Sequence, residues 1–118
     1  MKSMYSLTLL TFALPIYAAD KVHAIDLVDA EYAARCAAIH ITMTLGQPND
    51  APEVGNNLFR AALFSGHRLV TDDVVKNHMP WSVELRKNDS GSFVIWMSFC
   101  DDLEMAAVSL YREYFQSD

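Results

Sequence analysis

Cys100, Asp101, Asp102 and Glu104 stand close together in the stretch "SFVIWMSFCDDLE". A thiol beside carboxylates suggests a nucleophile, a metal site or an acid–base pair. Paired carboxylates do acid–base work only where their surroundings push their pKa values apart. On a helix, Asp101 and Glu104 lie three residues apart, and Asp102 turns off the apolar stripe that Cys100 and Leu103 define. The trio is therefore expected as a solvated acidic face which, if functional, binds a basic partner surface. Cys36 and His40 are four apart and share one side of a helix, the layout of a Cys–His nucleophile pair. A disulfided cysteine is no nucleophile, however, and these two cysteines are expected to pair with each other. His67 and His78, with Asp72 or Asp73, form the one conceivable metal cluster. They lack the HExxH spacing, and no CxxC pair exists, so no metal or cofactor is expected. Trp81, just after Pro80, is a candidate partner contact because a part-exposed aromatic suits an interface. There is no GxSxG, no glycine-rich phosphate loop and no CxxCH. A non-catalytic protein is the expectation.

The 118 residues carry 9 Lys and Arg against 15 Asp and Glu, a net charge of −6. This balance repels nucleic-acid phosphates and anionic lipid heads. It suits a protein partner, and a basic one in particular. The first residues read "MKSMYSLTLLTFALPIYAAD". Lys2, an apolar run over 7–14, the helix-breaking Pro15 and the small Ala18 and Ala19 follow the order of a secretory signal peptide. Cleavage is expected after Ala18, leaving residues 19–118 as a single domain. Only Lys2 is lost among the charges, so the mature chain is more acidic still. The apolar run is shorter than the roughly 20 residues a membrane span needs. Export, most simply to a bacterial periplasm, is therefore expected, with no membrane segment in the mature form. The only two cysteines, Cys36 and Cys100, lie in the mature part. In an exported chain they are expected to form a disulfide.

The elements that would position these residues read as helices. A helix is expected over 26–45, with Tyr32, Cys36, Ile39 and Met43 on one face and alanines that favour helix and admit a close neighbour. Asp26, Asp29 and Glu31 suit its positive end, and Gly46 and Pro48 end it. A second helix is expected from Asp50 as N-cap to about Val70, with Val54, Leu58, Ala61, Ala62 and Leu69 facing the core. Thr71 is the expected cap of a third, which Pro80 should divide into two short pieces. "RKNDSGS" reads as a polar turn.

The run after that turn has two readings. As strands, residues 81–99 form a hairpin in an α+β fold, which the β-branched and aromatic content supports. As a helix, Phe93, Trp96, Met97, Cys100, Leu103, Ala107, Leu110 and Tyr114 recur at threes and fours, and no Gly or Pro divides them. The helix is favoured, over 92–115, capped by Ser90 or Ser92. The expected fold is thus all-α, a single domain of about four helices, with a Cys36–Cys100 disulfide joining the first and last. In size, export signal, acidity and helical build, this is similar to two kinds of periplasmic protein, small helical immunity proteins and small disulfide-bearing acid-stress chaperones. No motif carries either likeness. The leading expectation is a binding protein, as inhibitor or immunity factor for another protein. The alternative is a holdase chaperone activated by acid, where the 15 carboxylates lose their charge and the basic groups repel one another.

Overall fold

Asp29 sets where the first helix begins. Its carboxylate accepts the N–H groups of Glu31 at 2.9 Å and Tyr32 at 3.2 Å, two of the donors that a helix start leaves unsatisfied. The computed structural model describes residues 24–115; the expected signal peptide and its cleavage site lie outside the described residues. A 3-10 turn at Ile25–Leu27 precedes four α-helices, which are α1 (Ala30–Thr44), α2 (Pro52–Ser65), α3 (Asp72–Asn88) and α4 (Ser90–Phe115). The fold is all-α. The alternative hairpin over 81–99 is overturned, because those residues are helical in α3 and α4 and the described residues contain no strand.

The expected boundaries need several corrections. The first helix does not start at Asp26: the chain is extended at Val28 and Asp29, and the side chain of Asp29 makes the cap. α1 ends at Thr44, and Gly46 takes the left-handed φ of 82° that turns the chain away, a conformation costly for a residue with a Cβ. Asp50 does not cap α2. Ala51 holds that position without a side-chain bond and Pro52 follows; a proline has no N–H to satisfy there. α2 stops at Ser65, short of Val70, where the Gly66 N–H bonds back to Ala62 and Leu63. Its expected core face holds at only two of five positions, and Ala62 is among the exposed ones. Val54 and Ala61 are buried, but Leu58 is 50% and Leu69 60% exposed, and Leu63 and Phe64 fill the interior instead.

Thr71 caps α3 as expected, accepting the Val74 N–H at 3.2 Å. Pro80 does not divide it. The helix runs unbroken from Asp72 to Asn88 with Pro80 inside. Both Pro80 and Lys76, whose carbonyl loses its donor, are exposed, so water can serve that carbonyl. The "RKNDSGS" turn shrinks to one residue, Asp89, between α3 and α4. Asp89, and not Ser90 or Ser92, is the cap: its carboxylate accepts the Ser92 N–H at 3.1 Å and hydroxyl at 2.7 Å. Those bonds, the hydroxyl's first, hold the Asp89 carboxyl below its ordinary value.

α1 is the central helix, packed against each of the other three. Ala33, Ala34, Ala37 and Ala38 are fully buried on it, and their small side chains let the neighbours approach closely. Phe64, Val75, Phe93, Ile25 and Ile39 complete the core. A polar pair crosses it: Thr42 Oγ1 donates to the Ala38 carbonyl at 2.8 Å and lies 2.7 Å from Ser82 Oγ on α3. Arg86 of α3 closes the end of α1, donating to the carbonyls of Thr42 and Leu45, where a cation meets the negative end of the helix dipole. Cys36 and Cys100 form the disulfide, with Cα atoms 5.6 Å apart. It joins the first and last helices, and both residues are wholly buried.

Candidate binding cleft

Met97, Asp101 and Glu104 recur at four and three along α4 and therefore share one stripe. That stripe faces α2 across a cleft. Glu53, Asn56, Asn57, Phe59 and Arg60 of α2 form the opposite wall, and His40 and Met43 of α1 form the floor; the cavity measures about 510 Å³. Trp96 and Phe99 lie on the other flank of α4, toward Tyr32.

Arg60 spans the cleft. Its Nη1 donates to Asp101 Oδ1 at 2.5 Å, and its Nε lies 3.9 Å from Glu104 Oε1. Asp101 and Asp102 are exposed, as the spacing suggested. Glu104 is not part of that solvated face: only 7% of it is exposed. It lies four residues after Cys100, so it faces the same side as the buried disulfide.

His40 is 2% exposed and its ring stacks on Phe64, centroids 5.9 Å apart. The Asn57 amide N–H donates to the Glu53 carbonyl at 2.9 Å, which leaves its oxygen, 2.8 Å from His40 Nδ1, as an acceptor. The proton of the neutral ring therefore sits on Nδ1, and Nε2 carries a bare lone pair. Among the described residues no donor reaches that buried Nε2. Burial holds the His40 pKa below 6.5; the Asn57 bond opposes this, Arg60 adds to it, and Asp101 and Glu104 work against it.

The other sequence candidates go elsewhere. Cys36 is bonded to Cys100, so the Cys36–His40 pair has no thiolate. His67 donates from Nε2 to the Val28 carbonyl at 2.8 Å and accepts the Leu69 N–H at 3.0 Å on Nδ1, which ties the loop after α2 to the start of the chain. His78 lies 3.5 Å from Glu31 on α1. Among the described residues no three His, Cys, Asp or Glu side chains are placed to hold a metal ion.

Trp81 is half-buried beneath the Arg35 guanidinium, 4.6 Å from its ring centroid, and meets Trp96 edge-on at 5.1 Å. It belongs to an aromatic cluster with Tyr32 and Phe99, across α4 from the acidic stripe. The structure therefore does not bring Trp81 together with Asp101, Asp102 and Glu104. Glu53, Asn57 and Arg60 had no signal in the sequence, because their place in the cleft depends on how α2 is set against α4. Among the described residues no helix is long and apolar enough to cross a membrane. No protein-family model, curated protein sequence or solved structure matches the chain, so its chemistry alone carries the functional reading.

Proposed function

We propose that the chain is an exported, non-catalytic binding protein whose acidic α2–α4 face engages a basic surface of another protein, as an inhibitor or immunity factor. One observation carries this: among the described residues that line the cleft, the carboxylates of Glu53, Asp101 and Glu104 stand with the cation Arg60. Export is supported by the order of charge, apolar run and small residues over 2–19, and by the disulfide, which persists in oxidising compartments. The periplasm of a bacterium fits both. Asp102, exposed beside the cleft, extends the acidic surface. Trp81 contributes to the aromatic face on the other flank and has no part in this contact.

The test is retention of a partner at neutral pH from an extract of the cell envelope. The oxidised protein is immobilised beside its D101N/D102N variant. A partner held by the first, released by salt and lost from the second is the expected result. Retention of no partner at neutral pH refutes the reading.

The acid-activated holdase is the second reading, favoured by His40. A buried neutral imidazole must take up a charge as the pH falls, and that works against the fold. Suppressed light scattering of a denatured client at about pH 2–3 supports this reading, and unchanged scattering there ends it.

A further inference from the structure

We infer that two copies of the chain pair through the outer flank of α4, antiparallel about Leu103, with Leu110 of each copy seated in an aromatic pocket of the other. This contact lies on the flank of α4 opposite the cleft. It therefore goes beyond the binding reading above and does not depend on it.

The spacing along α4 states the register. Trp96, Phe99, Leu103, Ala106 and Leu110 recur at three, four, three and four, the period of a coiled-coil seam. Trp96, Phe99 and Leu103 are half-buried, and Ala106 and Leu110 are exposed. The seam is thus apolar, uncharged and only partly covered by the chain's own core. It is also nearly symmetric about Leu103. Trp96 lies seven residues before it and Leu110 seven after; Phe99 lies four before and Ala106 three after. A two-fold axis demands a surface that complements itself. Turned over on Leu103, this one sets Leu110 against Trp96 and the small Ala106 against the large Phe99.

A pocket supplies an independent observation. Tyr32 of α1 and Ile95, Trp96 and Phe99 of α4 line a cavity of about 260 Å³, with no charged side chain among them. The three rings lie between 5.1 and 6.2 Å apart, centroid to centroid, so they brace one another and hold the walls in place. The exposed apolar side chain that the two-fold brings over this pocket is Leu110 of the second copy. A leucine fills such a space without leaving a polar group unpaired.

Charge and area set the strength. The chain is acidic, but Asp101 and Glu104 sit on the cleft flank, away from the seam. Asp102 is the exception: it stands on the rim beside the axis and meets its own copy there, so it opposes the pairing. The exposed parts of Tyr32, Ile95, Leu110 and Tyr114, with the seam between them, offer about 600 Å² per copy, or roughly 1,200 Å² for the pair, the lower end of the range for specific interfaces. A dimer with a micromolar Kd is expected.

Sedimentation velocity of the oxidised protein over about 1–500 µM should show the mass doubling. L110A counts twice in a symmetric pair and should weaken it by about a hundredfold. I95E places a charge at the pocket's exposed rim and should leave only monomer. D102N should tighten the pair by about two- to fivefold, the scale of one exposed charge contact, and added salt should act in the same direction. A thermal melt of each variant checks that folding is intact. In a mixture of isotope-labelled and unlabelled chains, NMR cross-peaks should join the Leu110 methyls of one copy to the Trp96 ring of the other.

A chain that stays monomeric throughout that range overturns the inference, and so does a dimer indifferent to both L110A and I95E. A dimer weakened by D102N, or one whose Leu110 methyls show no cross-peak to Trp96, overturns the antiparallel register. A monomer that still captures a partner leaves the binding reading standing without this one, and a dimer that captures none has the reverse effect.

Discussion

Reduction of the disulfide is the perturbation with the most calculable outcome. Cys36 and Cys100 are separated by 64 positions. In the chain-entropy account, cross-linking a loop of that length removes enough freedom from the unfolded chain to stabilise the fold by about 4 kcal/mol. Total stability for a domain of this size is about 5–15 kcal/mol, so the bridge accounts for a large share of it. Both sulfurs are fully buried, so reductant acts on the unfolded chain, and equilibrium urea unfolding with and without it is the suitable assay. With a urea slope of about 1.5 kcal/mol/M, the midpoint should fall by about 2–3 M on reduction. Mutation provides a check on mechanism. C100A alone should lose nearly as much as C36A/C100A, because either change opens the same loop, and the second should add only a packing loss of about 1 kcal/mol. A reduced protein whose midpoint stays within about 0.5 M of the oxidised one would refute the loop argument. So would single variants whose losses simply add.

Three further outcomes follow from local geometry. Burial depresses the His40 pKa below 6.5, so its contribution is complete above that value and is lost as pH falls through the lower folded value; H40F, which keeps a ring against Phe64, should flatten the urea-midpoint profile below about pH 6.5, and an unchanged profile refutes this. Gly46 has φ 82° and nothing within 4 Å of an added Cβ, so G46A should cost about 1 kcal/mol in urea unfolding through backbone strain alone. P80A restores one helical N–H in mid-α3 and should stabilise by about 1–3 kcal/mol, read as a raised thermal midpoint; a lowered one would mean that the ring packs in a way its exposure does not indicate.

The four helices and the disulfide were legible because they rest on periodicity and on a cysteine count of two. The stripe of Phe93, Met97 and Cys100 survives in α4, although Tyr114 at its far end is 69% exposed. What the sequence concealed was mostly a matter of partners. Pro80 signals a break, yet the helix passes through it where the orphaned carbonyl faces water. Serines near a helix start look like caps, yet Asp89 one residue earlier has the reach. Leu58 and Leu69 look like core, yet α2 turns Val54, Ala61, Leu63 and Phe64 inward instead of Leu58, and Leu69 falls beyond its end at Ser65. Of the cleft, only one wall was readable. The acidic spacing on α4 gave Asp101 and Asp102 correctly as exposed, but Glu104 could be placed only by knowing that the Cys100 side is the buried one. Arg60 and Asn57 acquire their meaning from a tertiary register that no local pattern encodes.

The Cys36–Cys100 bond also closes a covalent ring. All of α2 and α3, the loops on either side of them and the first part of α4 lie within it. A protease that cuts one exposed bond in the 45–50 loop opens this ring without releasing a fragment. Nicked and intact chains then keep one mass on a non-reducing gel and separate only after reduction. Arg60 sits inside the ring, and Asp101 and Glu104 follow directly after its closing residue. A cut there leaves both walls of the cleft on the C-terminal piece, and the disulfide keeps the floor, His40 and Met43, attached to it.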